Sequence, residues 1–580
     1  VRKRSNDVYF RKVNTLTKFQ DMTYVRPQLA DIEAACKTLI SRFKQAQSFT
    51  EQDALMEEMN DLMNKIETQQ QLVYIRHSID TNDAFYKQEK DYFDDASPQM
   101  EEHLNAFDNT VMASPFRAEL EEKWGKQLFR LTELKLKTFH PDVIPDLQKE
   151  NKLTTEYAQL IASAKIQFKG EERTLSQLTP FEQDKDRTVR KEAARAKTDF
   201  MSAHEEQLDR IYDDLVKVRT SIAQKLGFEN FVELGYARMS RTDYDASMVD
   251  AFRKQVREHI VPLVTALKQR QEKRIGVDTL RYYDTSFQFT SGNPTPKGDP
   301  EWILQTGEKM YNELSPETTE FFQFMRSNEL LDVLSRKGKE GGGYCTYIND
   351  YQSPFIFANF NGTSGDVDVL THEVGHAFQV YESRALNVPQ YNFPTSESAE
   401  IHSMSMEFFA WPWMEDFFKE DTEKYKFDHL ASALTFIPYG VAVDEFQHII
   451  YSQPELTPQQ RKDAWRKLES TYLPHVNYEG NDYLENGALW QRQLHIYEVP
   501  FYYIDYTLAQ ICALQFWKRM NDNREQAWAD YLALCKLGGS RSFLELVSSA
   551  NLASPFEDGC VSSVIQDIQT WLDRVDDQAL

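Results

Sequence analysis

The chain has 580 residues, 41% of them hydrophobic and 13% aromatic, enough apolar side chain for a large buried core and too much for a disordered protein. Its net charge of −25 excludes nucleic acid and anionic membrane as natural partners. No run of 18 or more apolar residues predicts a membrane span, and the basic start Val1-Arg-Lys-Arg4 lacks the apolar segment of a signal peptide. Cys36, Cys345, Cys512, Cys535 and Cys560 are scattered without a CxxC pair, the usage expected of reduced thiols in the cytoplasm.

Residues 1–25 are mixed and read as peripheral. From Gln28 the pattern becomes helical: Leu29, Ile32, Cys36, Leu39, Ile40 and Phe43 form one apolar stripe. Thr50 with Asp53 is the expected cap of the next helix, which carries Leu55, Met56, Met59, Leu62, Met63 and Ile66 as core. His77 and His103 stand in charged helical context and are expected to be solvated. Helical sequence continues through Glu119–Lys137 and Glu156–Ile166, and Thr179-Pro180 punctuates it. The charged tract from Asp184 is expected to be a solvated helix face with paired charges. A boundary near residue 195 divides an N-terminal helical region, 1–195, from a larger region, 196–580.

In the second region Gly227 and Gly235 read as helix ends, and Arg238 and Arg241 as structural ion-pair partners. Residues 282–300 are a loop by their turn residues, and Ser315-Pro316 starts a helix. The character then changes. Gly341–Asp350 and Ser353–Phe360 are short, β-prone and bounded by turn residues, which predicts two or three strands able to offer a peptide an edge or to cover the next helix.

That next helix carries His372-Glu-Val-Gly-His376. Side chains four apart share a helix face, so both imidazoles reach one metal ion, and zinc accepts such ligands. Glu373 is placed to take a proton from water at that ion. Asp366 is the expected N-cap, Asp368 suits the first turn, and Pro389 limits the helix downstream. Gln379 and Glu382 stand where metzincins place a glycine and a third histidine, so that class is excluded. A carboxylate from a second helix is then needed. Glu397, Glu400 and Glu407 fall near one face of 396–409, with His402 as a fourth option, and spacing alone does not choose among them.

The HExxH motif followed by Glu400-Ile-His-Ser-Met-Ser-Met-Glu407 resembles the thimet oligopeptidase and neurolysin family of zinc peptidases, in its oligoendopeptidase F branch. The resemblance implies Glu400 as the third zinc ligand and Glu407 as a partner of a ligand; His402 replaces a proline of the vertebrate members, and its role stays open. It also implies a mainly α, two-lobed zincin-type fold, with a small β-sheet beside the active-site helix and a deep channel for short unstructured peptides. Further on, Leu484–Tyr506 gathers His495, Tyr502, Tyr503 and Tyr506 around Pro500. Alone these are half-buried aromatics. In the family this region stabilises the oxyanion, which implies that role for His495 and one or more of the three tyrosines. The expected activity is zinc-dependent endopeptidase action on short peptides. A zinc carboxypeptidase of similar helical fold and a non-catalytic peptide-binding protein are the alternatives. Cleavage preference and oligomeric state are not written in the sequence.

Overall fold

The computed structural model describes residues 17–386 and 388–580; the basic start Val1–Arg4 lies outside them. The chain is mainly α-helical, with one two-stranded and one three-stranded sheet among the described residues.

The N-terminal helices Leu29–Gln45, Phe49–Ile79 and Ala84–Met112 bury their apolar stripes in a cluster of their own. Ile32, Cys36, Leu39 and Phe43 meet Met56, Met59 and Met63, and Val388 with Tyr391 close it from the later part of the chain. The cap of the second helix is Ser48, two residues before the expected Thr50. Its extended backbone lets the side chain accept from the Glu51 amide, a bond Thr50 cannot make from inside the first turn. His77 is also not solvated: it is buried, with Nδ1 3.2 Å from Glu340 Oε1, because its helix packs against the loop that joins Leu334 to Tyr344 within the three-stranded sheet. In the charged helix Arg187–Ala203, Arg190 departs from the expected solvated face and pairs in the interior with Asp284 at 2.9 Å.

A short antiparallel hairpin, β1 Ile166–Phe168 with β2 Glu171–Arg173, begins at Ile166, where the helical reading ends, and is not anticipated from the sequence. The three-stranded sheet contains β3 Leu331–Leu334, β4 Tyr344–Ile348 and β5 Ser353–Phe360. Its order is β3-β5-β4, with β3 parallel and β4 antiparallel to β5. The central strand reads Pro-Phe-Ile-Phe-Ala because it is covered on both faces, while Tyr344, Cys345 and Thr346 on the outer strand stay half-buried.

Beside this sheet lie the two helices that bear the motif residues. Gly365–Ser383, packed on β4 and β5, carries HExxH, and Ser396–Phe409, packed on that helix, carries Glu400. The two helices cross at Gly375. A Cβ there would lie 2.6 Å from the His402 carbonyl oxygen and 2.6 Å from Ser403 Cα, so only glycine allows this approach. The glycine inside the motif thereby brings the second helix close enough for its carboxylate to reach the two histidines.

Candidate active site

His372 and His376 project from one face of their helix, with ring centres 5.1 Å apart. Glu400 Oε2 lies 3.2 Å from His372 Nε2 and 3.4 Å from His376 Nε2. Tetrahedral ligands at zinc bond lengths of 2.0–2.1 Å stand about 3.3 Å from one another, so the donor set fits that ion. The electrostatics agree. Burial opposes charge on His372, yet Glu400 and Glu407 outweigh it and hold its pKa well above the ordinary value. Burial likewise opposes ionisation of Glu400, but the two histidines pull its pKa well below the usual carboxylate range. A site that stabilises its carboxylates and demands positive charge between them suits a cation.

The supporting hydrogen bonds have a direction. The Trp411 indole, which can only donate, gives its hydrogen to His429 Nδ1 at 3.0 Å. His429 Nε2–H then donates to Glu407 Oε2 at 2.8 Å, and His372 Nδ1–H donates to Glu407 Oε1 at 2.7 Å. That leaves His372 Nε2, turned toward Glu400, as the nitrogen a metal would take. Glu400 is oriented in turn by the Tyr502 hydroxyl at Oε1, 2.6 Å, and the Ser403 hydroxyl at Oε2, 2.8 Å.

Glu373 is 6% exposed and its Oε2 has no hydrogen-bond partner. Burial raises its pKa against the opposing pull of His372 and His376, which makes the carboxylate more basic. Asp366 lies inside the first turn and not at the N-cap, which is Ser364; its carboxylate reaches back to the amides of Asn361 and Gly362, both at 2.8 Å. Glu397 and His402 are buried on other faces of their helix. Glu397 accepts from Thr395, and His402 Nδ1 donates to its own Ser398 carbonyl at 2.7 Å.

A cleft of about 1660 Å³ opens over these groups. His372, Glu373, His376 and Glu400 line it on one side, His495, Tyr502 and Tyr506 on another, and Gly341–Thr346 leads β4 along its edge. His495, on the short helix Leu494–Glu498, has Nε2 3.2 Å from the Tyr506 hydroxyl, and burial depresses its pKa to about 4, so the ring is neutral at pH 7. Tyr503 packs edge-on against the His495 ring, 5.0 Å between centres, and on Phe436 and Tyr439, but does not line the cleft. The turn that sorts the tyrosines is Phe501, held at φ 69°, a left-handed conformation costing a bulky residue roughly 1–2 kcal/mol. Arg241 secures it by donating to the Phe501 carbonyl at 2.5 Å and to Asp505 at 2.9 Å. His429, Trp411 and Ser403 escaped the sequence reading; His429 and Trp411 come from a separate helix and turn and carry no local spacing signal, whereas Ser403 stands three residues after Glu400 on the same helix.

A mainly helical chain with this site across a long cleft belongs among the peptidases. The model of peptidase family M3 matches residues 181–295 and 309–564, and that of the peptidase M3 N-terminal domain matches residues 19–139; the chain belongs to family M3. The solved structure of PZ peptidase A with inhibitor 2 is 60% identical, covers 97% of this chain and 100% of its own, and superposes with a TM-score of 0.96. A protein from Bacillus anthracis str. Ames assigned as oligoendopeptidase F is 57% identical over 98% of this chain and 100% of its own, with a TM-score of 0.92. A curated relative, the oligoendopeptidase F homolog of Borreliella burgdorferi, is 24% identical over 63% of this chain, and the match spans 62% of that relative. The resemblance to the oligoendopeptidase F branch therefore holds.

Proposed function

We propose that the protein is a zinc-dependent oligoendopeptidase that cuts internal bonds of short, unstructured peptides. The observation that carries this reading is the convergence of His372, His376 and Glu400 at zinc-ligand spacing beside an unpartnered, buried Glu373. His372, His376 and Glu400 would hold zinc, which when bound would supply the Lewis acidity for activating water and polarising the peptide carbonyl. Glu373 takes the proton from water and hands it to the leaving amine. His495 Nε2–H, with Tyr506 beside it and Tyr502 at Glu400, faces the side of the cleft where the carbonyl oxygen gains charge. The β4 edge pairs with the extended peptide backbone. We place the enzyme in the cytoplasm, consistent with the free thiols of its cysteines, and keep 1–195 as its N-terminal helical region and 196–580 as its catalytic region.

The decisive test is a product map by mass spectrometry. A quenched peptide, its C-terminal amide, and native albumin are each incubated with and without chelator. Internal, chelator-sensitive cleavage of both peptide forms with intact albumin is expected, since a folded substrate must first open locally to reach a recessed site. Loss of activity on the amide alone would move the assignment to a carboxypeptidase, binding without cleavage to a peptide-binding protein, and digestion of albumin would end the short-peptide reading.

A further inference from the structure

His495 does not stand alone on the cleft wall. The Gln493 amide nitrogen, Nε2, lies 2.9 Å from His495 Nδ1, and the Tyr439 hydroxyl donates to Gln493 Oε1 at 3.0 Å. Gln493 also lies against the Tyr503 hydroxyl. The direction of this chain is set at its far end. The Arg492 guanidinium lies against Tyr439, with Cζ 6.0 Å from the ring centre, and it can only donate. A cation on that side of the tyrosine repels the hydroxyl hydrogen, which goes to Gln493 Oε1. The amide is thereby oriented with its NH₂ toward the histidine, and an NH₂ group cannot accept. His495 Nδ1 must accept, and its single proton must sit on Nε2, the nitrogen turned to Tyr506 and the cleft.

We propose that Gln493 is a positioning residue for the peptidase reaction: oriented by Tyr439, it holds His495 as the neutral Nε2–H tautomer, so that the one N–H of the ring points at the substrate. This rests on the reading of His495 as an oxyanion donor. In the opposite tautomer Nε2 would present a lone pair to a developing negative charge and would repel it. The same logic, a donor-only group fixing a histidine through an intermediary, runs from Trp411 to His372 on the metal side of the cleft.

The test uses the full chain, zinc-loaded and labelled with ¹⁵N-histidine, its His495 signals assigned by their disappearance in His495→Ala. The expected spectrum has a protonated Nε2 and a bare Nδ1. Gln493→Glu replaces the donating amide by a carboxylate of similar shape that accepts from Nδ1–H. It is expected to move the proton to Nδ1 or charge the ring, and to lower kcat by about 10²-fold, the scale of one lost oxyanion donor, with KM little changed. Gln493→Met, which neither donates nor accepts strongly, should fall between the two. A wild-type His495 protonated at Nδ1 overturns the proposal whatever the variants do, as does a Gln493→Glu enzyme that keeps Nε2–H and full kcat. If His495→Ala itself retains kcat, the oxyanion reading fails, and the wild-type spectrum still decides the tautomer.

Discussion

At the scale of single residues, the proposed site separates groups that would hold a metal, groups that orient them and groups that would react. Glu400 Oε2 stands within 3.4 Å of both motif-histidine Nε2 atoms, whereas Glu407 meets that pair at the far nitrogen of His372 and otherwise bonds His429. Glu400→Gln should therefore abolish stoichiometric zinc in metal analysis, while Glu407→Gln weakens affinity by roughly 10–100-fold, as expected of a partner behind a ligand. The reverse order would exchange the two assignments. Glu373 touches neither imidazole, so Glu373→Gln should retain zinc and lose about 10²–10⁴-fold in kcat. Among the tyrosines, orientation predicts a split. Tyr506→Phe should lower kcat more than it raises KM, and Tyr503→Phe, altering a hydroxyl turned away from the cleft, should leave kcat within about threefold; equal losses would show that the aromatic cluster acts only as packing.

At the scale of elements, the geometry depends on how closely two helices cross. The HExxH helix and the Glu400 helix meet backbone to backbone at Gly375, and nothing softer than the His402 carbonyl and Ser403 Cα faces the missing side chain. Gly375→Ala should force the helices apart, costing about 1–3 kcal/mol by overpacking in spite of alanine's better helix propensity. Thermal unfolding should show a lowered Tm and metal analysis a lowered zinc affinity in the same variant. Unchanged values for both would mean that the crossing can relax without moving the ligands. The sheet has a comparable role on the other side, since β5 is the buried central strand and leaves β4 on the cleft edge.

At the scale of the whole molecule, much of the interior is polar and paired. Arg219 with Glu150, Arg241 with Asp505 and Arg253 with Asp444 tie distant parts of the chain together across the core. Some histidines instead lie in places that resist charge. Burial, followed by the nearby Lys268 charge, depresses His475 from 6.5 to about 4. The unfolded chain then binds the proton more readily, so this contribution to stability is fully present above about pH 6.5 and is lost as pH falls toward 4. His475→Gln should remove that loss. Relative to wild type, the variant should gain up to about 2 kcal/mol on going from pH 7.5 to pH 5 in denaturant titrations, less whatever solvent in the cleft screens. A pH-independent difference between the two proteins would show that His475 titrates normally. Among the described residues no helix is long and apolar enough to cross a membrane.

What the sequence by itself determined lies where the chemistry is local. Helical periodicity placed His372 and His376 on one face, with Glu373 one residue on from the first; the β-prone runs around Tyr344 and Phe357 emerged as strands; and Arg238 and Arg241 did find buried carboxylates. Tertiary structure decided the rest, because contacts between residues far apart in the chain leave no period to read. Spacing did not choose among Glu397, Glu400 and Glu407, with His402 a weaker fourth option, and a helix crossing at one glycine turned Glu400 to the histidines and Glu407 to the back of His372. Three neighbouring tyrosines looked alike until the left-handed turn at Phe501 sent two into the cleft and one into the core. His77 read as solvated because its helix is charged, and it is buried because that helix packs on the loop between β3 and β4. Side chains within a helical turn share an environment fixed by backbone geometry, whereas the partner across a cleft depends on the packing of the whole chain.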